Sequence, residues 1–250
     1  MVMMLVLILL PVAFLLPPGA GAGEIIGGQE ARPHSRPYMA FLKIQDGKKI
    51  SRCGGFLVSK NFVLTAAHCN EDKITVILGA HNISDPEGSE QVIQAWDHIP
   101  HPRYDHTTYN NDIMLLKLRD NATLTNWVRP INLPPADHIV PVRTLCSAAG
   151  WGMTSLTNTT NTLREVNLTV MSDQTCNRRY PNYDPSSMLC AGDPRDKKTV
   201  YRGDSGGPLV CGGVAEGIVS HGKNNSIAPP AVYTRISPFM RWINDTMKHF

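Results

Sequence analysis

Three short segments of the sequence contain side chains that could act together in nucleophilic catalysis. The segment Gly203–Pro208 reads Gly-Asp-Ser-Gly-Gly-Pro and sets Ser205 among glycines that allow sharp backbone turns. A serine hydroxyl is a weak nucleophile until a base takes its proton and preorganised N–H groups stabilise the oxyanion that forms. Taken alone, such a glycine-rich segment also fits an ordinary surface turn.

A candidate base and a candidate acid lie upstream, each beside an apolar segment. His68 follows Leu64–Ala67, and Asp112 opens the apolar segment Ile113–Leu116. Each also has a plain structural explanation, because a lone histidine is often packed in a core and an acid at a strand edge often belongs to a turn. One assignment explains all three segments together: Ser205 is the nucleophile, His68 its base and Asp112 the acid that orients the base.

Short strands must hold these residues in place. The 250 residues include 20 Gly and 19 Pro, which is typical of many short elements joined by turns and not of a helical bundle. Apolar and β-branched runs recur between the turn residues at the spacing of a sandwich or barrel. We predict strands at Gly55–Ser59, Phe62–Ala66, Ile74–Gly79, Gln91–Ala95, Ile113–Leu118, Leu163–Val170, Pro208–Cys211, Ala215–Ser220 and Ala231–Ile236.

The C-terminal end follows a helical pattern instead. Ser237 suits an N-cap, Pro238 suits the first helical position, and apolar side chains follow at helical spacing over 239–247. We therefore predict one amphipathic helix whose apolar stripe packs on the core. The polar, proline-rich stretch 121–142 is predicted to link two halves of the domain.

The N-terminal end has the features of a secretory signal peptide. An apolar run over Leu5–Leu16 is short for a membrane span and is followed by small residues up to Ala22. We predict that residues 1–22 are removed on secretion; a retained membrane anchor is the alternative. The net charge of +3 excludes a polybasic tail, and we expect neither nucleic acid nor a membrane as a partner.

The cysteines and glycosylation sequons agree with a secreted protein. All six cysteines follow the apolar segment, and six cysteines allow 15 disulfide connectivities. No Cys-x-x-Cys pair, histidine ligand spacing or phosphate-binding loop occurs, so we expect no metal and no cofactor. Sequons, each a candidate glycosylation site that could also arise by chance, occur at Asn82, Asn121, Asn158, Asn167, Asn224 and Asn244.

Four motifs together resemble the chymotrypsin-like serine proteases. They are Ile25–Gly28, Thr65–Cys69, Asp112–Ile113 and Gly203–Pro208, and the order His, Asp, Ser along the chain is that of the family. The resemblance covers residues 25–250. Within the family, Pro33–Ala40 and the set of six cysteines resemble the granzyme, mast-cell chymase and cathepsin G group. The resemblance implies an all-β fold of two antiparallel six-stranded β-barrels with a C-terminal α-helix.

The same resemblance implies roles for single residues. Ser205, His68 and Asp112 would form the catalytic triad, with the backbone N–H groups of Gly203 and Ser205 as the oxyanion hole. Removal of the dipeptide Gly23-Glu24 would free the α-amino group of Ile25 to pair with Asp204 and activate a zymogen. The implied disulfides are Cys53–Cys69, Cys146–Cys211 and Cys176–Cys190.

The implied specificity pocket lacks an acidic floor. Its floor would be Thr199, so selection of Lys or Arg is disfavoured and a neutral apolar or aromatic residue before the cleaved bond is expected. The walls would be Val200, Ser220, Gly222 and Ala231, and Tyr201 stands in one of the places of a disulfide that many family members have beside this pocket. His221 departs from the aromatic residue usual beside the substrate backbone. Arg202, at the lip, either favours acidic residues after the cut or is a solvated surface arginine.

The expected partners are protein and peptide substrates of a monomeric enzyme. The resemblance also suggests serpin-type inhibitors and storage in the secretory granule of an immune cell, where Arg195, Lys197 and Lys198 could meet sulfated proteoglycan. The alternative function is a non-enzymatic cationic granule protein on the same fold that binds glycosaminoglycans or microbial surfaces. The intact triad argues against that alternative.

Overall fold

Antiparallel strands make up nearly all of the regular structure. The computed structural model describes residues 25–223 and 226–250, and we number its strands along the chain. They are β1 Gln29–Glu30, β2 Met39–Asp46, β3 Lys49–Ser59, β4 Phe62–Thr65, β5 Lys73–Leu78, β6 Gln91–Pro100, β7 Met114–Leu118, β8 Leu145–Gly150, β9 Arg164–Thr169, β10 Met188–Ala191, β11 Pro208–Cys211, β12 Val214–His221 and β13 Ala231–Arg235. The helices are α1 Asp173–Arg179 and α2 Met240–His249, with short 3₁₀ turns at Ala67–Cys69 and Ser237–Phe239.

The first sheet closes into a six-stranded barrel. Its strand order is β2-β3-β4-β7-β6-β5, and every neighbouring pair is antiparallel. Inward-facing side chains such as Leu42, Ile44, Phe56 and Leu115 are fully or almost fully buried. Because the barrel is closed, it has no free strand edge, and the inward-facing apolar side chains of all six strands pack into one internal core.

The second sheet curls towards the same form. Its order is β1-β9-β8-β11-β12-β13-β10, in which β1 adds two residues at one edge of six longer strands. The far edges meet where Met171 N–H donates to the Cys190 carbonyl at 2.9 Å and Gly192 N–H donates to the Thr169 carbonyl at 2.9 Å. The prediction of an all-β fold with two six-stranded barrels is therefore confirmed, with β1 as an addition.

A long connection joins the two barrels. Residues 119–144, which include the predicted link 121–142, contain no helix or strand beyond one isolated bridge between Asn132 and Val214. His138 in this connection lies 3.1 Å from the carboxylate of Glu216, a buried residue on β12. This contact ties the connection to the second barrel at His138, whereas the Ile131 N–H donates to the Leu57 carbonyl of β3 in the first barrel at 2.9 Å.

The C-terminal helix is confirmed, but its start differs from the prediction. Ser237 caps no helix, because its hydroxyl donates to the His138 carbonyl at 2.7 Å. Ser237–Phe239 forms a 3₁₀ turn with Pro238 in its first positions, and α2 begins only at Met240. Ile243 on α2 is buried against the first barrel, as the predicted apolar stripe requires.

Several predicted features lie outside the described residues. These are the signal peptide 1–22, the dipeptide Gly23-Glu24 and the sequon at Asn224. Within the described ranges, no helix is long and apolar enough to cross a membrane.

Candidate active site

Ser205 lies where the two barrels meet, in the turn before β11. Its carbonyl accepts a hydrogen bond from Gly54 N–H of β3 at 2.7 Å, so a strand of the first barrel fixes a loop of the second. The following residue, Gly206, has φ +82°, and a Cβ there would collide with the Thr65 hydroxyl and the Gly54 carbonyl. Only glycine fits this turn, which explains the residue type that follows the serine.

His68 and Asp112 come from two other elements of the first barrel. His68 lies in the 3₁₀ turn after β4, and Asp112 lies just before β7. The imidazole Nδ1 is 2.8 Å from Asp112 Oδ2, and the His68 backbone N–H donates to Asp112 Oδ1 at 2.9 Å. Because a carboxylate oxygen can only accept, His68 carries a proton on Nδ1 and leaves Nε2 free as a base.

Asp112 is fully buried and held from the second barrel as well. The Ser220 hydroxyl donates to its Oδ2 at 2.6 Å, and the Thr234 hydroxyl donates to its backbone carbonyl at 2.8 Å. Burial alone would raise the pKa of this carboxyl. The charge and hydrogen bonds of His68, together with the Ser220 hydroxyl, outweigh burial and hold the pKa of Asp112 below its ordinary value. Asp112 is therefore ionised at neutral pH.

Backbone N–H groups next to the Ser205 hydroxyl are available as hydrogen-bond donors. Among the described residues, no hydrogen bond joins the Ser205 hydroxyl to the His68 ring, and such bonds often tighten only when substrate binds. Gly203 takes φ +93°. The backbone N–H groups of Gly203 and Ser205 donate to no other described residue, so both can stabilise a developing oxyanion.

A cavity of about 130 Å³ opens next to Ser205. Every substrate-binding residue expected from the sequence lines it: Thr199, Val200, Arg202, Ser220, His221, Gly222 and Ala231. No carboxylate is among the described lining residues, and the charged residues there are the cations Arg202 and Lys223.

Ile25 and Asp204 are both fully buried. Ile25 belongs to the core of the second barrel with Val200 and Tyr233, and the Thr199 N–H donates to the Ile26 carbonyl at 3.1 Å. Asp204 accepts N–H groups of Tyr201 and Gly152, each at 2.9 Å. Complete burial nevertheless raises the pKa of Asp204 to about 7, since those two hydrogen bonds only partly offset the loss of solvent.

Comparison with known proteins decides the family. The family model described as Trypsin matches residues 25–243. The chain belongs to the trypsin family. Human cathepsin G is 53% identical over 97% of this chain and 95% of that protein, human granzyme B is 53% identical over 97% and 99%, and bovine duodenase-1 is 53% identical over 98% of each.

The fold of this trypsin-family member also has solved counterparts. A structure described as "Structure of GrC" superposes with a TM-score of 0.86 at 47% identity, covering 90% of this chain and 100% of that one. The resemblance to the granzyme and cathepsin G group is thereby confirmed. The protein is a chymotrypsin-like serine endopeptidase.

The protease contains three disulfides, as its secretory features suggested. They join Cys53 to Cys69, Cys146 to Cys211 and Cys176 to Cys190, the pairs that the family resemblance implied, and the chain has no free cysteine. Cys53, Cys69 and His68 also form the one group of potential metal ligands found in the described residues. Because both sulfurs are bonded to each other, they offer no thiolate to a metal.

The described sequons differ in accessibility. Asn121, Asn158, Asn167 and Asn244 are exposed, which a glycan requires. Asn82 is half-buried, and its amide oxygen accepts hydrogen bonds from the backbone and hydroxyl of Ser84. The sequence motif alone could not separate these cases.

Tyr109 is a site residue that the sequence did not indicate. Its ring lies edge-on to His68 with the centroids 5.7 Å apart, and it stacks on His221 at 4.9 Å. Tyr109 belongs to no motif and takes φ +59°, a left-handed conformation that bulky residues rarely adopt. Lys223 also lines the cavity, although no sequence pattern indicated it.

The buried Asp204 predicts how pH affects the form that still carries Gly23-Glu24 and so has no α-amino group at Ile25. Below about pH 4 the Asp204 carboxyl is protonated in both the folded and the unfolded chain, so it does not lower the free energy of unfolding. As pH rises from 4 to 7 the unfolded chain releases this proton while the folded chain keeps it, so the free energy of unfolding falls. We expect a loss on the order of a few kcal/mol, measured by denaturant unfolding across this pH range.

The control for that prediction is Asp204→Asn, which is uncharged at every pH. It should flatten the decline between pH 4 and 7 without changing the shape of the curve elsewhere. Equal pH dependence in both extended proteins would show that Asp204 is not the group responsible.

Proposed function

We propose that the protein is a secreted endopeptidase that cleaves peptide bonds through an acyl-enzyme on Ser205. The observation that carries this proposal is the buried, ionised Asp112 bonded at 2.8 Å to the His68 ring, with two unused N–H donors beside the Ser205 hydroxyl. This arrangement supplies a nucleophile, a base in the correct tautomer and a site for negative charge.

The reaction then proceeds in two halves. The Ser205 oxygen attacks the substrate carbonyl carbon while its proton passes to His68 Nε2, and Asp112 stabilises the imidazolium. The oxyanion accepts hydrogen bonds from the N–H groups of Gly203 and Ser205. When the C–N bond breaks, His68 returns the proton to the leaving amine, and water repeats the sequence to release the acid product and free Ser205.

We infer a preference for a neutral apolar or aromatic residue before the cleaved bond. Thr199 and Ala231, which line the cavity, carry no charge, and no described lining residue offers a carboxylate that could pair with a Lys or Arg side chain. Gly222 keeps the cavity open, since a Cβ built there would meet nothing within 4 Å.

Gly222→Val tests this assignment of the cavity. The open space around Gly222 means that the fold accepts the larger side chain, while the two methyl groups fill the route into the cavity. We expect kcat/KM for substrates with Phe or Tyr before the cut to fall by about 10²-fold, a steric loss above the effect of a single methylene group. Matched peptides with Ala at that position should lose less than threefold.

Unchanged thermal unfolding would show that Gly222→Val is folded. A uniform loss on all substrates, or none, would contradict the cavity assignment. Cleavage of a mixed peptide library by the Ile25-trimmed wild type tests the wider inference, because cutting only after Lys or Arg would overturn it.

A direct test of the chemistry is covalent labelling. A fluorophosphonate probe requires an activated serine and an oxyanion site, so mass spectrometry should find it on Ser205 alone in the trimmed protein. Failure to label Ser205 in protein that is folded would refute the proposed triad.

We further propose activation by removal of Gly23-Glu24 and storage in a secretory granule of an immune cell, with proteoglycan and serpin-type inhibitors as partners. The similarity to cathepsin G and the granzymes supports this setting. Of the basic residues considered for proteoglycan, Arg195 is paired at 2.6 Å with Asp193 in its own loop. That pairing leaves Lys197 and Lys198 as the better candidates for contact with sulfate.

A further inference from the structure

His221 lies within a continuous row of rings beside the proposed triad. Its ring stacks on Tyr109 at 4.9 Å with an interplanar angle of 26°, and Tyr180 meets it edge-on at 5.6 Å. Tyr109 in turn contacts the His68 ring. A phenylalanine ring could pack in the same way, so packing alone does not explain why this position has an imidazole.

The imidazole has a polar contact that such a ring could not make. His221 Nδ1 lies 3.1 Å from the Ser220 hydroxyl, and the same hydroxyl lies 2.6 Å from Asp112 Oδ2. Ser220 has one hydroxyl proton, and the carboxylate of Asp112 can only accept, so that proton points at Asp112. The Ser220 oxygen must therefore accept from His221, which places a proton on His221 Nδ1.

The charge state of His221 agrees with this assignment. Burial, together with the nearby His68, lowers the pKa of His221 to about 4 against the opposing effect of Asp112. At neutral pH the ring is uncharged and holds a single N–H. The Ser220 contact determines which nitrogen bears it.

We propose that His221 is a positioning residue whose Nδ1–H fixes the Ser220 hydroxyl on Asp112 and so completes a hydrogen-bond chain from His221 through Ser220 and Asp112 to His68. The inference rests on the proposed function of the triad. Ser220 is 5% exposed, and its oxygen is held from both sides. Donation by His221 polarises the Ser220 O–H, which draws charge from Asp112 and restrains the carboxylate that orients His68.

A double-mutant cycle with His221→Phe and Ser220→Ala tests whether His221 acts through Ser220. Phenylalanine keeps a ring between the two tyrosines but donates nothing. We expect His221→Phe alone to lower kcat on a chromogenic peptide substrate about fivefold, the effect of one hydrogen bond, with KM within twofold. In the Ser220→Ala background the same change should cost less than twofold. Additive losses, or wild-type kcat in His221→Phe, would overturn the proposal.

The pH profile provides a readout that loss of packing would not move. Without the donor, Asp112 keeps more negative charge and stabilises the His68 imidazolium, so the acidic limb of kcat/KM should move to higher pH in His221→Phe. No such movement should occur when Ser220 is already alanine. His221→Asn, which restores a donor near the Nδ1 position, should return the acidic limb of the pH profile towards its wild-type pH. An acidic limb that does not move in His221→Phe would count against the proposed hydrogen-bond chain.

Nitrogen chemical shifts of the histidine rings test the hydrogen bond without relying on turnover. In wild-type protein at pH 7, His221 should show a protonated Nδ1 and an unprotonated Nε2, and the opposite tautomer would overturn the inference. A wild type that cleaves no peptide would refute the proposed function instead, and the tautomer would still decide the Ser220 contact.

Discussion

Ser205→Ala is expected to lower kcat for peptide hydrolysis by about 10⁵–10⁶-fold, the size of loss seen when a serine protease loses its nucleophile. The substitution removes the atom that would form the acyl-enzyme but leaves Gly54 N–H bonded to the backbone carbonyl of residue 205. The turn, the cavity and the Asp112–His68 pair should therefore persist. Substrate binding should change little, so the loss should appear in kcat and not in KM.

The measurement is steady-state hydrolysis, by Ile25-trimmed protein, of a peptide identified as a substrate in the library. A matched serine variant is measured in parallel. Ser51 is exposed on β3 with no hydrogen bond from its hydroxyl among the described residues, and Ser51→Ala should retain wild-type kcat. His68→Ala added to Ser205→Ala should cost little more, because the two groups act as one unit. A Ser205→Ala protein that kept the full biological effect would favour the non-enzymatic binding protein.

The three segments proposed to carry the triad could be located in the sequence because Ser205, His68 and Asp112 each lie beside a recognisable local pattern. Ser205 is surrounded by glycines that its turn requires, and Asp112 precedes a clear apolar strand. Strands rich in β-branched and apolar residues could likewise be predicted from the sequence. Family resemblance, and not spacing, supplied the disulfide pairs and the two-barrel arrangement.

Other elements escaped prediction for physical reasons. β8 reads Leu-Cys-Ser-Ala-Ala-Gly, whose small residues have low strand propensity and are buried only because β9 and β11 flank them. β2 begins with four consecutive buried apolar residues, Met39–Leu42, and alternates only from Leu42 to Gln45, so its sequence gives a weak strand pattern. The helix α1 has a short length and one buried residue, yet Ser172 does accept from Thr175 N–H as an N-cap and could have been noticed.

The contacts around Asp112 depend on register and could not be read from the chain. Ser220 is 108 residues from Asp112 in sequence, and its hydroxyl reaches Oδ2 only because the two barrels meet at this point. A shift of one residue in β12 would turn Ser220 away and present a neighbour. The same holds for Tyr109, whose ring reaches His68 from a loop in a left-handed conformation.

Leaving Gly23-Glu24 on the chain is expected to reduce kcat/KM by about 10³-fold relative to protein that begins at Ile25. Asp204 is fully buried beside the proposed oxyanion hole, and an unpaired buried carboxylate costs several kcal/mol. In the extended form residue 25 has no ammonium to offset this cost, so conformations that expose Asp204 and displace Gly203 are favoured. In the proposed activation, trimming would supply an α-amino group with an ordinary pKa of about 7.7–8.0, and its pairing with Asp204 would select the competent loop.

Two variants separate charge pairing from the mere length of the N-terminus. Trimmed Asp204→Asn should be nearly as inactive as the extended protein, because its amide cannot pair with the ammonium. Extended Glu24→Ala should stay inactive, since the blocked amine and not the glutamate charge is the cause. Trimmed wild type should also lose activity as pH rises and the ammonium deprotonates, whereas an extended form as active as the trimmed one would contradict the mechanism. Because Ile25 is buried in the core with Val200 and Tyr233, the new terminus would act through the same loop that carries Ser205.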